Sequence, residues 1–304
     1  MSGSFVERAI TVVITAGTGN LKPVGFGPNH TNTMTLAGYR VSAEIVWPGG
    51  TALPECQCTV YGMNLSDMNA ISSIGQMTKA YAMNKNTLSI LAGDAVNGMS
   101  LVFQGILQDA IIDFDGAPQV GFVMTAYGGY DIAMIPVPPS SFRGSASVVN
   151  IMQSLATQGA LGFENNGVTG VLSNPYFPGT IGDQIKACAR DAGINFLIDT
   201  TKGTNGVLAI WPKFGYRAGT PPTISPQTGM KGYPNYTANG VDLEMLFNPT
   251  LRFGGRITVQ SSLQPACGTW NIYSLYHSIE SITPGGDWFT TAQCWSNANF
   301  AAQS

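Results

Sequence analysis

The chain has 304 residues, and only 10 % of them are Asp, Glu, Lys or Arg, against about 25 % in an ordinary globular domain. Hydrophobic residues make up 44 %, which excludes disorder over the whole chain, and the length suggests about two domains. The net charge is −3, and the fourteen basic residues form no dense cluster, which excludes a general nucleic-acid binder that must neutralise phosphates.

The first 135 residues read mainly as strands. Ala9 to Thr15 is rich in β-branched residues, and Arg40 to Ile45 alternates polar with apolar, the period of a half-buried strand. Cys56 to Tyr61, Thr87 to Leu91, Met99 to Leu107, Ala110 to Phe114 and Val120 to Ala126 continue the series. Turn signals at Pro48-Gly49-Gly50, Gly93-Asp94, Asn97-Gly98 and Asp115-Gly116 separate them, a spacing that predicts a sandwich or barrel. One helix interrupts the strands. Asn64 caps it, and Leu65, Met68, Ile71 and Ile74 keep helical spacing until Gly75.

Pro136 to Gly144 reads as a linker or domain boundary, with three prolines and two serines. Composition then shifts. Val148, Ile151, Met152 and Leu155 share a helical face that ends at Gly159. Asn174 to Gly179 is a loop. Thr180 and Asp183 form a capping pair for a second helix, whose buried face is Ile181, Ile185, Cys188, Ala189 and Ala192 and which Gly193 closes. Asn195 to Ile198 and Gly206 to Trp211 predict a β-hairpin. Residues 140–215 thus make a small α/β module. Strands return at Val241 to Phe247, Arg256 to Ser261, Gly268 to Ser278 and Trp288 to Trp295, and the tail after Ser296 is expected to fray. The expected class is mainly β with a small α/β insertion, divided as 1–135, 140–215 and 216–304. The last part is open to completion by strands from the middle region.

Met1 to Arg8 lacks the basic region and apolar run of a secretory signal, and stretches such as Ala9 to Ala16 fall short of the roughly 20 residues of a membrane helix. The cysteines Cys56, Cys58, Cys188, Cys267 and Cys294 are odd in number, so they read as reduced, buried thiols of a protein made in the cytoplasm.

The search for chemistry finds no site. His30 and His277 are the only histidines, and Cys56-x-Cys58 has no second pair, too few ligands for a metal centre. Asp113-x-Asp115-Gly116 has its glycine too early for a calcium loop and reads as a turn. No G-x-S-x-G elbow accompanies His277, which lies inside a strand pattern. Gly17-Thr18-Gly19 and Gly25-Phe26-Gly27 lack the third glycine of a dinucleotide fingerprint and read as loops. No cofactor is expected. The aromatic residues near the C-terminus read as core or subunit contact, with a carbohydrate platform as the alternative.

The C-terminal region carries a more specific pattern. It runs Gly229-Met230-x-Gly232-Tyr233-Pro234, then Leu246-Phe247-Asn248-Pro249-x-Leu251-x-x-Gly254-Gly255-x-Ile257. It closes with Gly268-x-Trp270-x-Ile272-x-x-Leu275-x-His277-x-Ile279 and Pro284-Gly285-Gly286-x-Trp288-x-Thr290. Upstream stand Leu36-Ala37-Gly38-Tyr39-Arg40-Val41, Leu91-Ala92-Gly93-Asp94 and Val102-Phe103-Gln104-Gly105-x-Leu107. In order and spacing these resemble the baseplate hub proteins of tailed bacteriophages.

The resemblance implies two tail-tube-like β-barrel domains per chain and a ring of three chains. Such a ring adapts a sixfold tail tube, or a distal tail ring, to a threefold central spike. DNA and tape-measure protein pass its lumen without specific binding. It implies a virion baseplate location, no membrane insertion and no catalysis. The signature positions are Pro249, Gly254, Gly255, Gly268, His277, Gly286, Trp288 and Thr290, and Trp270, Tyr273, Tyr276 and Trp295 are candidate interface residues. Another β-rich tail component, or a glycan hydrolase on a β scaffold, are the alternatives.

Overall fold

Alternating burial organises the first 128 residues. In the computed structural model, which describes residues 6–17, 26, 31–72 and 86–295, strands take 49 % and helices 15 % of the described residues. The expected loops at 17–19 and 25–27, His30, the Ile74–Gly75 end of the first helix and the tail after Ser296 lie wholly or largely outside the described residues. The chain divides into two compact units, one of residues 1–46, 54–128 and 277–289, the other of 47–53, 129–276 and 290–304.

In the first unit the strands are β1 (Arg8–Thr15), β2 (Thr33–Ala37), β3 (Arg40–Trp47), β4 (Glu55–Tyr61), β5 (Thr87–Asp94), β6 (Gly98–Asp113) and β7 (Gly121–Tyr127). They lie in the order β3-β4-β7-β6-β5-β1-β2, each antiparallel to its neighbours. Every second side chain is buried: Ile10, Val12 and Ile14 on β1 face across from Ala92, Ile90 and Leu88 on β5. Cys56, Cys58 and Val60, with Phe122, Met124 and Ala126, extend this core. A one-residue slip would turn each of these sets to solvent, so the pattern pins the register.

The expected break between Met99–Leu107 and Ala110–Phe114 is absent. β6 is one strand of 16 residues, and bulges take up its irregularities. Leu107 faces Ala126 and Asp109 faces Thr125, which leaves Gln108 as the extra residue. Helix α1 (Leu65–Ile71) buries Met68 and Ile71, and the Asn64 side chain accepts a hydrogen bond from Asp67 N at 2.8 Å as anticipated. Strand β2 was not predicted. It has only five residues, stopping at a glycine of positive φ.

In the second unit the α/β module folds around α2 (Tyr130–Ala133), α3 (Val148–Gln158), α4 (Ile181–Ala192) and a sheet of β10 (Gly162–Asn165), β14 (Val207–Pro212) and β13 (Ile194–Asp199) in that order. Two short antiparallel pairs flank it: β8 (Ser140–Ser141) with β12 (Tyr176–Phe177), and β9 (Ser145–Ser147) with β11 (Val171–Ser173). The predicted hairpin is β13–β14, and β10, which lies parallel to β14, was not predicted. Thr180 and Asp183 form the capping box of α4, and Gly193 ends it at φ +63°. Ile151, Met152, Leu155, Ile185, Cys188 and Ile210 are among the buried side chains of this core.

The proline-rich segment is folded rather than a linker. Ile135 O accepts from Ile181 N at 2.9 Å, and the fully buried Gln184 side chain bonds Ser140 N, Pro138 O and Gly179 O. Three hydrogen bonds satisfy that buried amide, so the segment 135–140 is held against α4. The boundary therefore falls at Gly128–Gly129, ahead of the prolines.

The rest of this unit is β15 (Thr223–Ile224), β16 (Met230–Tyr236), β17 (Gly240–Leu246), β18 (Arg256–Val259), β19 (Gly268–Ser281) and β20 (Trp288–Trp295), in the order β16-β17-β20-β19-β18-β15. Residues 277–289, which span the end of β19 and the start of β20, belong to the first unit, where Ser281 Oγ donates to Tyr39 O at 3.2 Å. Val241, Leu243, Ile257, Ile272 and Cys294 line the C-terminal core. Among the described residues no pairing closes the strands of either unit into a barrel.

A third cluster of Leu197, Ala209, Trp211 and Phe253 joins the module to the C-terminal strands. Its rings meet edge-on, Trp211 and Phe253 lying 5.8 Å apart at 71°. Gly254 has φ +76°, and a Cβ there would stand 2.6 Å from the Trp211 ring. Gly254→Ala therefore combines left-handed strain with overpacking, and we expect it to cost about 3 kcal/mol. A lowered urea midpoint with an unchanged slope is the expected readout.

Candidate functional site

The signature residues set turns and seal cores. Thr290 is fully buried, and its Oγ1 accepts Asn248 N at 3.1 Å, while Asn248 Oδ1 accepts Thr250 N and Oγ1 at 3.0 and 2.7 Å. These bonds shape the turn that holds Pro249. Gly254 O accepts Arg217 N at 2.7 Å, and Gly255 exchanges bonds with Arg252 O and Ile272 N. Gly268 opens β19 opposite Val259. In the first unit, Gly286 leaves room for Glu280, whose Oε2 would stand 2.5 Å from a Cβ at that position. Trp288 is buried, with the Arg8 guanidinium 5.6 Å from its ring. His277 is buried too, and burial pushes its imidazole down to about 3, so it is neutral near pH 7. The eight positions thus fall in both units and do not converge on one site.

Two of the four candidate interface residues come together. Tyr273 and Trp295 have ring centroids 5.4 Å apart, and Phe214, exposed and unforeseen in the sequence, lies 6.4 Å from Trp295. Burial, with the nearby Asp242, raises the Tyr273 hydroxyl. Tyr276 is half-buried. Trp270 departs from its expected role: it is 9 % exposed within the C-terminal core, and its Nε1 donates to Ala266 O at 2.9 Å. A tryptophan with its N–H satisfied inside its own unit is a core residue.

The strongest electrostatic feature was not visible in the sequence. Arg217, with 2 % of its side chain exposed, donates through Nε to Glu164 Oε1 at 2.9 Å and through Nη2 to Oε2 at 3.1 Å. Its Nη1 pairs with Asp199 Oδ2 at 2.9 Å, and Lys202 Nζ reaches Glu164 Oε2 at 3.1 Å. Asn166 donates to Glu164 Oε1 at 3.0 Å. Burial raises the Glu164 carboxyl, but the Arg217 bond and charge, with Asn166 and Lys202, outweigh it and hold the group at about 2. Glu164 stands on β10, the strand that periodicity missed, so nothing marked it as facing an arginine 53 positions away.

Cys56, Cys58, Cys188 and Cys294 are buried free thiols, and burial pushes Cys58 and Cys188 up to about 12, where they are inert. Among the described residues no group of three or more His, Cys, Asp or Glu is placed to hold a metal, and no helix is long and apolar enough to cross a membrane.

Comparison with known proteins identifies a family and a shared fold. A sequence model of the family described as baseplate hub gp41 matches residues 53–294, well over half of the chain. No curated protein sequence is similar enough to count as a match. Solved structures share the fold at low identity. A tail protein of Neisseria meningitidis MC58 is 8 % identical with a TM-score of 0.61, covering 96 % of this chain and 97 % of that one. The 43 kDa tail protein of prophage MuSo2 from Shewanella oneidensis is 9 % identical with a TM-score of 0.58, at 95 % and 97 % coverage. The E. coli c3393 protein, a component of the type VI secretion system, is 12 % identical with a TM-score of 0.57, at 93 % and 77 %.

The lowered Glu164 carboxyl makes a pH-dependent contribution. Its stabilisation is complete above the ordinary value of 4.5 and is lost as pH falls toward about 2. Glu164→Gln leaves Arg217 buried with Asp199 alone, and we expect a loss of about 3 kcal/mol at pH 7. That loss shrinks between pH 5 and pH 2 in urea unfolding series of the two proteins.

Proposed function

Because the chain belongs to the baseplate hub gp41 family, we propose that it is a structural subunit of a phage tail baseplate whose copies assemble as a trimeric ring. The observation that carries this reading is the family match over residues 53–294, which reaches into both compact units. In this reading the ring adapts a sixfold tail tube, or a distal tail ring, to a threefold central spike. DNA and tape-measure protein pass through its lumen. The subunit is made in the host bacterial cytoplasm and ends in the virion.

Three features support that role. Charged residues are only 10 % of the chain, which leaves a surface that is cheap to desolvate in subunit contacts. Exposed apolar and aromatic side chains, among them Ile111, Phe114, Tyr233 and Tyr236, offer such contacts. Among the described residues strand β2 pairs only with β1, and a strand edge of this kind is completed in a ring by a neighbouring copy. Closure into tube-like barrels then belongs to the assembly. A net charge of −3 suits a channel that DNA must traverse without sticking. The E. coli protein, described as structurally similar to the T4 tail proteins gp27 and gp5, adds support for a place near the spike.

Light scattering on the purified chain is the test. We expect three times the monomer mass, and negative-stain images of a ring with a central hole. A sixfold mass would assign the chain to a tube-like ring instead. Turnover of peptidoglycan by the purified chain would overturn the non-enzymatic role, and a lumen lined mainly by Lys and Arg would overturn the channel argument.

A further inference from the structure

The second unit contains a cavity of about 210 Å³ between the loop 217–222 and the turn 250–256. Three of the seven arginines of the chain, Arg217, Arg252 and Arg256, line it, and no acidic residue does. In a chain with fourteen basic residues, that convergence concentrates positive charge at one place.

The three arginines are held differently. Arg217 is neutralised behind the wall by Glu164 and Asp199 and fixes the loop through its N–H to Gly254 O at 2.7 Å. Arg256 stacks its guanidinium on the Tyr216 ring, 3.7 Å from the centroid. Stacking occupies the face of the planar cation and not its N–H edge, which is the edge that recognises carboxylate and phosphate oxygens. The Nε of Arg256 is buried and has no hydrogen-bond partner among the described residues. An unsatisfied buried donor of this kind costs free energy unless a ligand, ion or water completes it. Arg252 is exposed and also lines the cavity, with no ion pair or side-chain hydrogen bond to another described residue. Thr250 and Thr220 add hydroxyls to the lining. The space holds a carboxylate or phosphate group with room for its stem.

We propose that this arginine-lined cavity is an oxyanion-binding site, taking a carboxylate or phosphate group on the free edges of Arg256 and Arg252. The source is either a small free anion or an acidic side chain of a docked protein segment. The site does not depend on the ring assembly.

The test is NMR on the full chain, following the Arg Nε–Hε resonances at constant ionic strength. The probes are inorganic phosphate, a blocked tetraglutamate peptide and a blocked tetraglutamine peptide, with chloride as the background anion. Phosphate, tetraglutamate or both shift the Arg256 Nε–Hε signal saturably, and tetraglutamine does not. Arg252→Ala, at an exposed position that leaves folding intact, weakens binding about tenfold, the loss expected for one charge-assisted hydrogen bond. Arg256→Lys keeps the charge but loses the planar fork and weakens it at least as much. Tighter binding of the peptide assigns the site to a protein carboxylate, and tighter binding of phosphate to a free anion. Shifts that chloride reproduces, or binding that survives both substitutions unchanged, would overturn the proposal.

Discussion

Trp211 can approach the turn at residues 253–255 only because position 254 carries no side chain. Its ring occupies the space that a Cβ would need, and Phe253 meets it edge-on. This contact lets the sheet of the α/β module share a hydrophobic cluster with the C-terminal strands, so that the stretch 129–276 is one compact unit. Neighbouring features depend on the same turn. Gly254 O holds Arg217 N, which sets the start of the loop lining the arginine cavity, and Gly255 ties the turn to Ile272 on β19.

Sparse charge gives the few ion pairs of the chain unusual weight. Around Arg217 two acids and a lysine satisfy one another with little help from solvent. A buried guanidinium costs several kcal/mol of desolvation unless its partners are well placed, so such a knot specifies one arrangement more than it adds stability. It also ties β10, β13 and the loop after β14 together by side chains. Elsewhere the buried titratable groups stay neutral. The thiols are raised and His277 is lowered, and both shifts follow from burial.

The strands show how a mainly β chain copes with irregular sequence. β6 runs through two shifts of register, one of them at the break expected after Leu107, and bulges absorb the extra residues without ending the strand. The edge strand β16 is blunted, since it carries Lys231 and Pro234 and loses regular register between Lys231 and Asn235. β2, another end strand among the described residues, is only five residues long, Thr33 to Ala37.

Local chemistry determined much of this in advance. The strands β1, β4 and β7, the period-2 pattern of β3, the Asn64 and Thr180 caps and the hairpin after Gly193 were all legible, because each depends on residues within a few positions of one another. The family pattern was legible for a related reason: its glycines and Thr290 are demanded by turns and tight packing, which tolerate few side chains. Long-range partners decided the rest. Sequence spacing could not say that Pro136–Ser140 would be held by Gln184, that Trp270 would face its own core, or that Arg217 would find Glu164 and Asp199. Those outcomes rest on burial and on polar groups meeting across tens of residues, and only the folded chain brings them within hydrogen-bonding distance.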